Sequence, residues 1–102
     1  MKVFIPFKEK FREPMLNNVK TMTSRTKKYG NVGDTFEAFG AMFEITNVFR
    51  LELGDIASFW REEGCNSLDD FVETWKQIHP NKPYRLSDRF YVHKFRKEVK
   101  GT

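Results

Sequence analysis

The chain has 102 residues, enough for one hydrophobic core and too few for two, so a single domain over residues 1–102 is expected. Apolar residues make up 39 % and aromatics 16 %, with eleven Phe among them, a composition that excludes a disordered chain. No run nears the roughly 20 apolar residues of a membrane helix, Met1–Pro6 is too short for a signal-peptide core, and the lone Cys65 rules out an internal disulfide or a paired-Cys zinc site; a cytoplasmic location is expected.

The net charge of +4 is unevenly spread. Residues 1–30 carry eight Lys/Arg against two acids, residues 31–80 carry three against ten, and residues 81–102 carry seven against two. If the two ends meet in the fold, they form a basic face suited to a phosphate-bearing partner such as RNA. Solvation of an ordinary surface accounts for the same charges equally well.

In chain order, Val3, Phe4 and Ile5 predict a short strand limited by Pro6. Phe7, Phe11 and Met15 then recur at helical spacing, with Pro14 expected to break or kink the helix and Asn17-Asn18 to end it. Lys20 to Arg25 has β character. After the turn-forming Gly33-Asp34, strands are predicted over Thr35–Phe39 and Met42–Leu51, joined as a hairpin around Gly40-Ala41. In the longer one Phe43, Ile45, Phe49 and Leu51 are expected on one face, and Glu44, Thr46 and Arg50 on the other. A helix is predicted from about Gly54 to Glu63, stopped by Gly64, and a second is capped by Ser67 with a stripe of Leu68, Phe71, Val72, Trp75 and Ile78. His79-Pro80 ends it, and Arg89 to Phe95 reads as a closing strand. This order points to an α+β fold: a small, partly open, mostly antiparallel barrel flanked by helices, not a βαβ sheet.

The densest chemistry lies in Lys20-Thr21-Met22-Thr23-Ser24-Arg25. A Lys offers a base, a Thr a nucleophile and an Arg an anion-binding guanidinium. On a regular strand, side chains three apart face opposite sides, so Lys20 and Thr23 can meet only if Lys20 precedes the strand or sits at a bulge. Elsewhere there is no Walker loop or dinucleotide fingerprint, and neither His79 nor His93 has a ligand-spaced neighbour, so no metal and no cofactor are expected. Trp60 and Trp75 lie on helical stripes and are assigned to the core. Tyr84, in a polar loop, is the better candidate to stack on a base, and Cys65, without a basic sequence neighbour, is read as inert.

Phe7, Phe11, Leu16, Lys20-Thr21, Thr23, Arg25, Gly33-Asp34, the Glu62-Glu63-Gly64 element and the Tyr91–Phe95 strand together resemble the ASCH domain family over nearly the whole chain. That resemblance implies a PUA-like β-barrel with helices packed on it. Small ASCH members include amidohydrolases that remove the acetyl group of N(4)-acetylcytidine with a Lys, a Thr and a Glu. Carried over, these are Lys20, Thr23 and, after a one-residue shift, Glu63, with Glu62 as the alternative. Arg25 falls on the supporting Arg and is expected to bind substrate with Thr21 and Tyr84. Other members of the group are expected to bind RNA or modified nucleosides without cleaving them.

Overall fold

The computed structural model describes residues 1–98, so Lys100 of the basic carboxyl-terminal set lies outside it. Its elements are a single 3-10 turn at Glu9–Phe11, α1 at Arg12–Leu16, β1 at Met22–Arg25, β2 at Thr35–Ala38, β3 at Ala41–Glu52, α2 at Leu53–Ser58, α3 at Leu68–Ile78 and β4 at Arg89–Lys97. The four strands form one antiparallel sheet in the order β1-β4-β3-β2, a curled half-barrel whose free edges are β1 and β2.

The hairpin turns through Phe39 and Gly40, both at positive φ (54° and 78°), as a two-residue primed turn requires. Its long strand departs from simple alternation. A bulge between Ile45 and Asn47 shifts the register against β4, so Phe43, Ile45 and Val48 join one core cluster while Phe49 and Leu51 pack against the other. The expectation that Phe43, Ile45, Phe49 and Leu51 share a face is therefore corrected: one extra residue inverts the parity beyond it.

The two clusters sit on opposite faces of the sheet. Phe90 and Val92 of β4 face α2 and α3, where Ile56, Phe71 and Trp75 are buried. Phe95 and Phe43 face the amino-terminal segment, where Ile5, Phe11 and Met15 are buried against Phe36. Four rings, Phe7, Phe36, Phe43 and Phe95, pack there with centroids 5.3–6.1 Å apart.

Three further expectations are corrected. Val3–Ile5 forms no strand; the segment touches the sheet through a single parallel bridge, Lys2 to Thr35, and is held by the buried Ile5. Pro14 does not break α1, because it stands in the first turn, where its missing N–H has no helical partner to lose. The helix expected from Gly54 to Glu63 ends at Ser58, and irregular turns carry the chain through Gly64. By contrast α3 begins at its predicted cap, Ser67 Oγ accepting from the Asp70 N–H at 3.0 Å. Among the described residues no helix is long and apolar enough to cross a membrane.

Candidate functional site

Lys20 lies before the strand, held by a turn. Asn18 takes a left-handed φ of 60°, and the N–H groups of Val19 and Lys20 both donate to the Pro14 carbonyl, at 2.8 and 2.9 Å. Beyond it, the N–H groups of Thr21 and Met22 donate to the Glu62 carbonyl, at 2.8 and 3.1 Å. The early end of α2 thus lays the 62–64 segment along the free edge of β1.

This apposition buries Lys20 and Glu63 together, 3 % and 8 % exposed. Lys20 Nζ donates to the carbonyls of Glu63 (2.6 Å) and Met22 (2.9 Å), and lies 3.8 Å from Glu63 Oε1. The Phe11 ring centroid is 4.4 Å away. Burial is the largest influence on both groups: it pulls the Lys20 amine below its ordinary range, against the raising effect of Glu63, and pushes the Glu63 carboxyl above its own, against Lys20. Both favour the uncharged form. A neutral amine that spends two N–H groups on carbonyls keeps its lone pair for a proton. Glu63 Oε2 accepts from Ser24 Oγ at 2.7 Å. Glu62 contributes only its carbonyl to this arrangement, which places Glu63 rather than Glu62 beside Lys20.

On the other face of β1, Arg25 Nε donates to Thr23 Oγ1 at 2.9 Å and its terminal nitrogen to the Pro6 carbonyl at 2.6 Å. The guanidinium lies between the rings of Phe7 (5.0 Å) and Tyr29 (5.4 Å). Thr23 is 4 % exposed. Behind it the fully buried His93 accepts the Tyr29 N–H on Nε2 at 3.0 Å, so its proton sits on Nδ1, 3.4 Å from the Thr23 carbonyl. Burial lowers the affinity of His93 for a second proton, an effect that Arg25 and Lys28 reinforce.

Lys20, Glu63, Ser24, Thr23, Arg25 and Tyr29 line one cavity of about 410 Å³, within the roughly 300–1,000 Å³ usual for small-molecule sites, and His93 lies behind its wall. Because β1 is an edge strand, the cavity wraps around it and is reached from both faces: by Thr23 and Arg25 on one, by Ser24 and Glu63 on the other, with Lys20 between. Its far wall is apolar, formed by Leu53, Ile56, Phe71, Trp75 and Phe90.

Of the residues singled out by sequence, Lys20, Thr23, Arg25 and Glu63 meet here. Thr21 and Tyr84 do not line the cavity: Thr21 precedes β1 and its carbonyl accepts the Phe95 N–H, while Tyr84 packs edge-on behind Trp75, with centroids 5.2 Å apart. Phe7, Ser24, Tyr29, Cys65, Trp75 and His79 line the cavity without having been singled out as site residues. Only Ser24 carried a usable signal, its place inside the Lys20–Arg25 stretch. Cys65, buried beside Lys20, has its thiol pushed up by burial and stays protonated. Among the described residues no group of three or more His, Cys, Asp or Glu side chains stands close enough to hold a metal ion.

No protein-family model matches the sequence, and comparison with curated proteins finds no match. Solved structures do match. The ASCH domain from Lactobacillus crispatus superposes with a TM-score of 0.61 at 16 % identity, covering 94 % of this chain and 77 % of its own. The chain has an ASCH-type, PUA-like fold. The hypothetical protein PH0355 matches this chain with a TM-score of 0.72 at 13 % identity, over 96 % of this chain and 100 % of its own. A protein from Pyrococcus furiosus gives 0.63 at 11 %, over 95 % and 97 %. At such identities the likeness concerns the fold, and activity has to be read from the site.

Proposed function

We propose that this ASCH-type protein is an amidohydrolase that removes the acetyl group from N(4)-acetylcytidine or a related acylated cytosine nucleoside. The observation that carries the proposal is the burial of Lys20 and Glu63 in one cavity with Thr23 and Arg25, under conditions that favour an uncharged amine and a protonated acid.

Amide hydrolysis needs an activated nucleophile, a donor for the oxyanion and a proton for the departing amine. Thr23 Oγ attacks the acetyl carbonyl and its proton passes to neutral Lys20. Arg25, already bonded to Thr23 Oγ1, stabilises the oxyanion. Protonated Glu63 gives its proton to N4 as the C–N bond breaks, releasing cytidine and leaving an acetyl ester on Thr23. Water, losing a proton to the Glu63 carboxylate, attacks that ester; acetic acid leaves, and the proton on Lys20 returns to Thr23. The balance is one amide and one water consumed, one amine and one acetic acid formed.

A second reading rests on three hydrogen bonds. Thr23 Oγ1 is held by Arg25, and Lys20 spends its hydrogen bonds on two carbonyls, an arrangement that also suits a module binding a modified base or RNA without cleaving it. The basic amino- and carboxyl-terminal segments would then contact phosphates, as Lys97 and the end of α1 lie together, Lys97 Nζ donating to the Leu16 carbonyl at 2.9 Å.

Incubation with free N(4)-acetylcytidine separates the two. Cytidine formed by wild type, and by neither Lys20→Ala nor Thr23→Ala, is the expected result. Absence of product together with RNA binding that weakens steeply with salt overturns the enzyme in favour of the module.

A further inference from the structure

The two edges of β1 differ. Toward β4 the Phe95 N–H donates to the Thr21 carbonyl at 2.9 Å, and with Met22 opposite Lys94 this sets the ladder. The Thr21 carbonyl and the main-chain groups of residues 23 and 25 turn toward β4, whereas the Thr21 N–H and the main-chain groups of residues 22 and 24 turn outward. At Met22 both outward groups are occupied: the N–H by the Glu62 carbonyl and the carbonyl by Lys20 Nζ. The next outward pair belongs to Ser24, which lines the cavity. Neither its N–H nor its carbonyl has a partner among the described residues.

A donor and an acceptor side by side on an extended residue match a planar molecule that offers an acceptor beside a donor. A peptide strand presents such pairs too, but it needs a run of free edge. Here the occupied Met22 leaves a single residue, which favours a small planar ligand. Cytosine has N3 as acceptor beside N4–H as donor, and acylation of N4 still leaves one N–H. We propose that the main-chain N–H and carbonyl of Ser24 read the N3/N4–H edge of a cytosine in the cavity, leaving the N4 substituent to Thr23 and Lys20. This inference rests on the cytosine reading above and supplies its specificity element, one that no side-chain comparison would display.

The test is amide exchange of Ser24 in the full chain, followed by NMR with cytidine as the probe, since cytidine carries N3 and N4–H but no scissile amide. Without ligand the Ser24 amide is expected to exchange faster than those of Thr23 and Arg25, and saturating cytidine to slow it by about tenfold, the equivalent of one net hydrogen bond. N4,N4-dimethylcytidine, which has no N4–H, should bind about tenfold more weakly than cytidine. Ser24→Pro removes an outward N–H without costing a ladder bond, and should lose about tenfold more affinity for cytidine than Ser24→Ala, which keeps it. Should the Pro variant fail to fold, the exchange measurement on wild type decides. Unchanged Ser24 exchange under saturating cytidine, or no cytidine binding, overturns the inference. Hydrolysis of N(4)-acetylcytidine with Ser24 unprotected defeats this inference alone, whereas protection without hydrolysis defeats the amidohydrolase alone.

Discussion

Gly64 and Lys20 are in contact at a distance no side chain would tolerate. A Cβ on Gly64 would lie 2.9 Å from both Cβ and Cδ of Lys20, and Gly64 also holds a φ of +92°. The aliphatic stem of the lysine runs along this bare backbone, and that approach brings Nζ to the Glu63 carbonyl. Gly64 thus does two things at once: it turns the chain and makes room for the site.

Gly64→Ala is expected to be destabilised by about 1–2 kcal/mol from the left-handed backbone alone, and to displace Lys20. Urea denaturation should show the lost stability, and hydrolysis of N(4)-acetylcytidine should fall by more than the loss of folded protein explains. Full activity in a folded variant would show that the position of Lys20 is not critical.

Lys20→Met keeps the stem and removes the amine. Because burial holds the Lys20 pKa down, the folded chain binds that proton less readily than the unfolded chain; wild-type stability therefore falls as pH drops below about 10.4, the ordinary lysine value. The variant should lack this loss and be inactive, while the Glu63 and Met22 carbonyls, left without the Nζ donor, should lower its melting temperature at neutral pH. Retained turnover would remove Lys20 from the mechanism.

Thr23 and Ser24 are rival nucleophiles on opposite faces of β1, one held by Arg25 and the other by Glu63. If Thr23 attacks, Thr23→Ala should lose about 10³-fold or more in kcat, and Thr23→Ser should recover part of it. Ser24→Ala should lose less, because it removes only the hydroxyl that steadies Glu63. The reverse ranking, read from steady-state kinetics, would move the nucleophile to Ser24.

His93 ties the Tyr29 loop to the strand beneath Thr23, and Nε2 can accept the Tyr29 N–H only while unprotonated. Its folded pKa lies below the unfolded value of about 6.5, so its contribution is complete above that pH and lost as pH falls through the folded value. Urea midpoints for wild type should therefore drop from pH 8 to pH 5. His93→Phe should cost about 2 kcal/mol at pH 8 and narrow the pH difference. Some dependence should survive, since burial lowers His79 in the same direction. An unchanged pH difference in the variant would assign the effect to other groups.

Local chemistry made much of this protein legible in its sequence. The Ser67 cap, the helical stripe of α3, the Gly40 turn and the alternation at the start of β3 each reflect interactions within a few residues, so the element types and the antiparallel, helix-flanked sheet follow from them. The cluster Lys20, Thr23 and Arg25 was visible for the same reason. Tertiary structure decided everything that depends on contact across the chain: the bulge that inverts β3 beyond Ile45, the pairing of β1 with β4 that makes β1 an edge, and the segment from Glu62 to Gly64 laid against it. Burial, which moves Lys20 and Glu63 toward their uncharged forms, and the unpaired main-chain edge of Ser24 belong to that second group. Neither is a property of a residue type; both arise only when distant segments exclude water from, or leave open, the same strand.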